Sequence, residues 1–206
     1  MREVRRALID MALRRQRPGT GTALAVMRRR QARVRYWDAS AALSGLAWCV
    51  CGAVAARLYM PERTTADLDI LVHARDLAAC EGRLAASGWT LTGRLAIGGS
   101  HWEATDGAAL DLLACADGWV DGALAQAPSH RDPQGLPTLP LPFLVLMKLD
   151  ASRSQDVGDL ARMLGQADAA ALAAVRAEIQ RWRPEDAEDL ESLIHLGRLE
   201  LGLDQA

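Results

Sequence analysis

The sequence predicts a mixed α/β (α+β) fold: a small mixed sheet flanked by helices, followed by a C-terminal helical region. Three observations carry that prediction. Short apolar runs punctuated by glycine recur between residues 47 and 115, as strands and their turns do. Five of the eight prolines fall between Pro128 and Pro142, a cluster that separates two stretches of different pattern. Beyond it, apolar residues return at helical spacing.

Taken in order, residues 1–37 read as a basic arm, with Arg5-Arg6, Arg14-Arg15 and Arg28-Arg29-Arg30 interrupted by Pro18-Gly19-Thr20-Gly21. A solvated extension with short helices is the plainer expectation. A phosphate-seeking arm for RNA is the alternative, since guanidiniums release counterions from a polyanion. A core over 38–127 comes next, with a helix over 39–46, a strand over 47–51, a helix over 53–59 and a loop at Pro61. Then come a strand over 67–73 and a helix over 75–87 that stops at Gly88. Strands over 89–97, 101–105 and 108–115 are parted by Gly98-Gly99 and Asp106-Gly107 turns.

Residues 128–206 read as a linker and a helical region. Pro142 opens a helix through Ser152, and Leu160 and Leu164 continue the spacing in the next. Asp168 caps a helix with Leu172, Val175, Ile179 and Trp182 on its apolar face. Pro184 opens a last one carrying Leu190, Leu193, Ile194 and Leu201.

With 206 residues, 50% of them hydrophobic and 24% charged, the chain can build a core and is neither disordered nor a disulfide scaffold. The formal charge is −2, but residues 1–37 hold +9 and the remainder −11. The apolar run Ala41–Ala56 contains Ser44, Gly45 and Gly52 and is shorter than the roughly 20 residues of a membrane span. The layout of the basic segment does not match an export signal, so a cytoplasmic protein without membrane partners is expected. Cys49, Cys51, Cys80 and Cys115 form no C-x-x-C pair and are expected as buried free thiols.

The chemistry concentrates in Arg63-Thr64-Thr65-Ala66-Asp67-Leu68-Asp69-Ile70. On a strand, Asp67 and Asp69 project from one face and Leu68 and Ile70 from the other. Two like charges so placed are costly unless they bind a cation or titrate as a pair. Magnesium, a hard ion that takes carboxylate oxygens, is the natural occupant. Asp111, inside Leu110-Asp111-Leu112, is a third acid that wants a partner. Three carboxylates on adjacent strands can hold two magnesium ions, one at an attacking hydroxyl and one on a departing triphosphate. An Asp-x-Asp is also common on solvated strand faces. Upstream, Trp48–Ala53 looks like a strand entering a helix through Gly52, which offers N–H groups to phosphate or serves as a packing glycine.

These residues resemble the nucleotidyltransferase superfamily, the DNA polymerase beta-like fold, and within it the minimal bacterial proteins grouped with AbiEii-type toxins and antibiotic nucleotidyltransferases. The match is Cys51-Gly52, a short helix, Arg63-x-Thr65-x-Asp67-x-Asp69, and then Asp111. It continues as Lys148-Leu149-Asp150-Ala151-Ser152-Arg153, with Asp156 and Asp159 after it. Lys148 is the only lysine of the chain. The resemblance implies Asp67, Asp69 and Asp111 on two Mg2+ ions and Lys148 beside them in the catalytic set. It also implies Cys51, Gly52, Arg63, Thr65 and Arg153 on a nucleoside triphosphate. Cys51 departs from the glycine or serine usual in the family.

The activity so implied is magnesium-dependent transfer of a nucleoside monophosphate to an acceptor hydroxyl. The acceptor would be a tRNA 3′ end, an aminoglycoside-like antibiotic or a protein, and the protein a toxin–antitoxin component with a cognate partner. The alternative is a non-catalytic binding or regulatory module on the same fold, which the Cys51 departure permits. For Asp156 and Asp159, three residues apart on one helical face, two roles stand open: complementing the helix dipole, or positioning Lys148 and Arg153.

Overall fold

The computed structural model describes residues 2–19, 35–60, 65 and 67–203. It divides into two compact units. Among the described residues, one holds 35–57, 65 and 67–140, and the other holds 2–19, 58–60 and 141–203.

The first unit is built on a five-stranded mixed sheet. Its strands are β1 (Trp48–Val50), β2 (Asp67–His73), β3 (Thr90–Arg94), β4 (Gly99–Glu103) and β5 (Ala109–Cys115), in the spatial order β1-β2-β5-β4-β3. Only β2 and β5 run parallel, and every other neighbouring pair is antiparallel. Three helices serve this unit: α2 (Gly52–Ala56), α3 (Leu77–Ala86) and α4 (Val120–Gln126). The parallel pair is central and leucine-rich, as strands covered by helices tend to be. Leu68, Ile70, Leu110 and Leu112 are all buried. They alternate with the acids along β2 and β5, so one face is dry and the other carries the acids, with buried Leu71 and Leu113 two residues beyond Asp69 and Asp111.

Three expectations for this unit change. Residues 39–46 form turns rather than a helix: one helical bond, from Leu43 N–H to the Ala39 carbonyl, is made at 2.8 Å. Gly45 then takes a φ of 81°, a left-handed conformation that ends helical winding. The proline-rich stretch is no loose linker. Val50 N–H donates to the Pro137 carbonyl and Leu139 N–H to the Val50 carbonyl, both at 2.8 Å. That pairing clamps the stretch to the free edge of β1, and Leu136 and Leu139 are buried there. Residues 120–126, given no element in the sequence prediction, form α4 and pack on β2.

The second unit is helical, with α1 (Arg2–Arg15), α5 (Leu141–Ala151), α6 (Ser154–Gln166), α7 (Ala169–Trp182) and α8 (Ala187–Leu201). Asp168 caps α7 as predicted, its side chain accepting from Ala171 N–H at 2.8 Å. Helices α6 and α8 cross at Gly165 and Gly197. A methyl on Gly165 would sit 2.5 Å from the Gly197 carbonyl carbon, and one on Gly197 would sit 2.8 Å from that of Ala161. The backbones therefore touch where no side chain fits.

Part of the basic arm belongs to this unit. Arg5 is 3% exposed. It donates from Nε to Asp189 at 2.8 Å and from Nη1 to the Leu149 carbonyl at 2.5 Å and Ser152 Oγ at 3.2 Å. Asp186 takes its remaining guanidinium nitrogen. A buried arginine needs this saturation, because an unpaired charge in the interior is expelled or costs several kcal/mol, of order 3–5. The rest of the arm, 20–34, lies outside the described residues. Among the described residues no helix is long and apolar enough to cross a membrane. Cys49, Cys51 and Cys80 are buried free thiols and Cys115 is half-buried. Burial pushes the Cys49 thiol far up, and raises Cys80 to about 11 with help from the charge of Asp76.

Candidate functional site

The polar face of the sheet gathers the acids. In the parallel β2–β5 ladder, Asp69 is the direct partner of Asp111, and Asp67 is the partner of Ala109. Laterally paired residues project to the same side, and so do residues two apart on one strand. Asp67, Asp69 and Asp111 therefore share one face. Asp67 is exposed, while Asp69 and Asp111 are half-buried.

The turn after β1 abuts this face. Cys51 N–H donates to the Asp69 carbonyl at 2.9 Å, which extends the β1–β2 pairing by one bond. The amide expected to face a phosphate thus makes its bond within the sheet, and the thiol is itself buried. Gly52 begins α2 with φ at +60°. A methyl there would collide with Asp69 Oδ2 and lie 2.6 Å from Asp69 Cγ. Two constraints thus coincide at position 52, since L residues resist the left-handed region and no Cβ fits under the carboxylate. Thr65 leads into β2, with its carbonyl accepting from the Tyr36 hydroxyl at 3.2 Å. Arg63 lies outside the described residues.

A histidine also sits on this face. His101 on β4 is the register partner of Asp111 on β5, and its Nδ1 is 2.5 Å from Asp111 Oδ1. The hydrogen bond to Asp111 raises the His101 pKa; burial opposes this, and the charges of Asp111, Glu103 and Asp67 add to the rise. A signal for the pairing exists in the sequence. In an antiparallel hairpin, residues equidistant from the turn face each other, and 101 and 111 are equidistant from Asp106 of the Asp106-Gly107 turn.

The fit of a hard cation can be judged from the donors. Three carboxylates on one face, with a glycine cleared beneath one of them, suit a magnesium-like ion in chemistry. As the side chains stand, Asp111 is engaged with His101. Among the described residues no group of three or more His, Cys, Asp or Glu side chains is placed to hold a metal. The face thus supplies the donors but not their convergence.

Lys148 and Arg153 belong to the helical unit. Lys148 is 3% exposed. Its Nζ lies 3.0 Å from Asp156 Oδ1 and 2.8 Å from Asp159 Oδ2, so the ammonium expected against a phosphate makes its contacts with two buried carboxylates. Arg153 donates from Nε to Asp156 at 2.8 Å while its side chain stays 63% exposed. Asp156 also accepts from the Arg153 backbone N–H at the start of α6, and its own N–H donates to the Arg153 carbonyl. Burial pushes the Asp156 carboxyl up, yet Arg153 and Lys148 together outweigh it and hold the group below the usual carboxylate range. Both roles open for this pair are compatible with these contacts: Asp156 stands in the first turn of α6 and pairs with Lys148 and Arg153, and Asp159 pairs with Lys148.

No family model matches the chain, and no curated protein matches it. Solved structures are similar to it at low identity. The crystal structure of ANT(2″)-Ia in complex with adenylyl-2″-tobramycin is 18% identical, with a TM-score of 0.41 over 77% of this chain and 91% of the other. The solution structure of the antibiotic-resistance factor ANT(2″)-Ia is 19% identical, with a TM-score of 0.41 over 76% and 86%. Terminal uridylyl transferase 4 from Trypanosoma brucei with bound GTP is 14% identical, with a TM-score of 0.29 over 87% and 57%.

Proposed function

We propose that the sheet unit is the catalytic unit of a nucleotidyltransferase, one that moves a nucleoside monophosphate from a nucleoside triphosphate to an acceptor hydroxyl and releases pyrophosphate. The observation that carries this reading is the register of β2 on β5, which sets Asp69 beside Asp111 with Asp67 two residues along the same face. Asp67, Asp69 and Asp111 would hold Mg2+, two ions in the full form of the proposal. When bound, such ions neutralise triphosphate charge and lower the pKa of a coordinated hydroxyl.

The chain's own part is positional. Gly52 leaves the space under Asp69 that a side chain would fill, and β1 and β5 pair with β2 on either side and fix the backbone positions from which the acids project. Thr65 stands at the entrance to the acidic strand and Arg63 precedes it in the sequence, as a residue set for the phosphates requires. The acceptor classes consistent with the motif are a tRNA end, an aminoglycoside-like antibiotic and a protein hydroxyl, and a toxin–antitoxin setting with a cognate partner belongs to the first and last of these.

The test is a magnesium-dependent assay with labelled nucleoside triphosphates and each acceptor class. Asp67→Ala and Asp69→Ala should each lower incorporation by about 100-fold or more. A second reading, a non-catalytic binding module, draws on the engagement of Asp111 by His101 and of the Cys51 amide by Asp69. No incorporation with any acceptor, together with no cation-dependent nucleotide binding, decides for it.

A further inference from the structure

His101 touches the acidic face directly, and the proposed chemistry leaves it without a role. Its partner Asp111 has no proton to give when ionised, so the hydrogen of their bond resides on His101 Nδ1, and Asp111 Oδ1 accepts it. On its other side the ring has Nε2 3.8 Å from Glu103 Oε1. Its register partner on the next strand is Gly93 of β3, where an added methyl would be 3.8 Å from His101 Cβ. The imidazole is thus held by acids, with 32% of its side chain exposed against 24% for Asp111. A hydrogen bond so placed is only partly replaceable by water, and one to a charged group is stronger than a neutral one.

We infer that His101 is a positioning residue that engages Asp111 in a hydrogen bond and must release it when a divalent cation takes that carboxylate. The inference rests on the proposed cation-binding role of the three acids. Two observations stand behind it: the three acids share a face, and one of them is already taken by the imidazole. The hydrogen bond to His101 is what an arriving cation has to displace. The entry of a cation therefore costs the protein that bond, and the affinity of the site is set below what the three carboxylates would give unopposed.

The experiment uses the full chain and Mn2+ alone, with binding followed by calorimetry. His101→Ala removes the donor and should tighten Mn2+ by about 10-fold or more, the worth of a hydrogen bond to a charged group. His101→Asn keeps an N–H donor near the position of Nδ1 and should stay within about 3-fold of the parent. Asp67→Asn separates the two levels of the proposal. If Asp67→Asn abolishes binding while His101→Ala leaves the affinity unchanged or weaker, the cation site stands and the holding role is overturned. If the parent binds no Mn2+, or Asp67→Asn binds as well as the parent, the cation reading is overturned and the holding role with it. A measurement on the unaltered protein guards against a variant that fails to fold. Among the four histidines, saturating Mg2+ should shift the imidazole nitrogen resonances of His101, and an unmoved His101 spectrum under saturation overturns the inference.

Discussion

Replacing Lys148 with methionine tests the interior of the helical unit. The substitution keeps the aliphatic stem and deletes the ammonium that sits 3.0 Å from Asp156 and 2.8 Å from Asp159. Those carboxylates are 0% and 2% exposed, so water cannot replace the lost partner. Breaking a buried ion pair from one side costs about 3–5 kcal/mol. Asp156 keeps Arg153 at 2.8 Å, which places the expected loss toward the lower end. For a chain of this size that corresponds to a fall in melting temperature of roughly 6–15 °C. Urea unfolding followed by far-ultraviolet circular dichroism measures it, since the helices of this unit dominate that signal. Adding Asp159→Leu to Lys148→Met removes one of the two buried carboxylates and should recover at least half of the loss, because the two sites are coupled. A loss under about 1 kcal/mol for Lys148→Met would refute the reasoning, since it would mean the triad is screened as a surface pair is.

The same geometry sets several other outcomes. Gly197→Ala should destabilise by about 1–2 kcal/mol despite the higher helix propensity of alanine, because its methyl meets the Ala161 carbonyl. Gly158→Ala, with nothing within 4 Å of its added methyl, should be stabilising by about 0.5–1 kcal/mol in the same thermal melt. Gly52→Ala should cost about 1–2 kcal/mol from its left-handed backbone alone, and displacing Asp69 should abolish nucleotidyl transfer if that activity is found. The folded-state pKa of Asp156 lies below its unfolded value. Its contribution is therefore complete above about pH 3.9 and is lost as pH falls through the lower folded value. Urea midpoints measured downward from pH 5 should drop in that window, and Asp156→Asn should flatten the drop.

Much of the site can be read along the chain because it depends on local alternation. Asp67 and Asp69 share a face for the reason any i, i+2 pair on a strand does, and Leu68 and Ile70 supply the buried face that fixes which way they point. Gly52 is visible as a glycine at a strand-to-helix turn, but its necessity comes from Asp69, seventeen residues later, and no local pattern carries that. The same holds for His101. Its meaning depends on which strand lies beside β5, and only the hairpin centred on Asp106 encodes it. Lys148 stands out by being alone of its kind, yet its surroundings come from α6 folding back on α5 and turning Asp156 and Asp159 inward. The short turn over 39–46 mimics a helix because its composition is helical, while Gly45 and tertiary context override it.

The ring of acceptors around Arg5 has a consequence for how the chain is made. Arg5 and Asp189 are separated by 184 residues, and at ribosomal rates of about 5–20 residues per second that interval is roughly 10–40 s. The sheet unit lies between them in the sequence and emerges before α8, so it can assemble while α1 is still waiting for that helix. During that wait a guanidinium destined for the interior stays hydrated, and Ile9, which ends fully buried, is a sticky surface that a chaperone or a neighbouring nascent chain can reach.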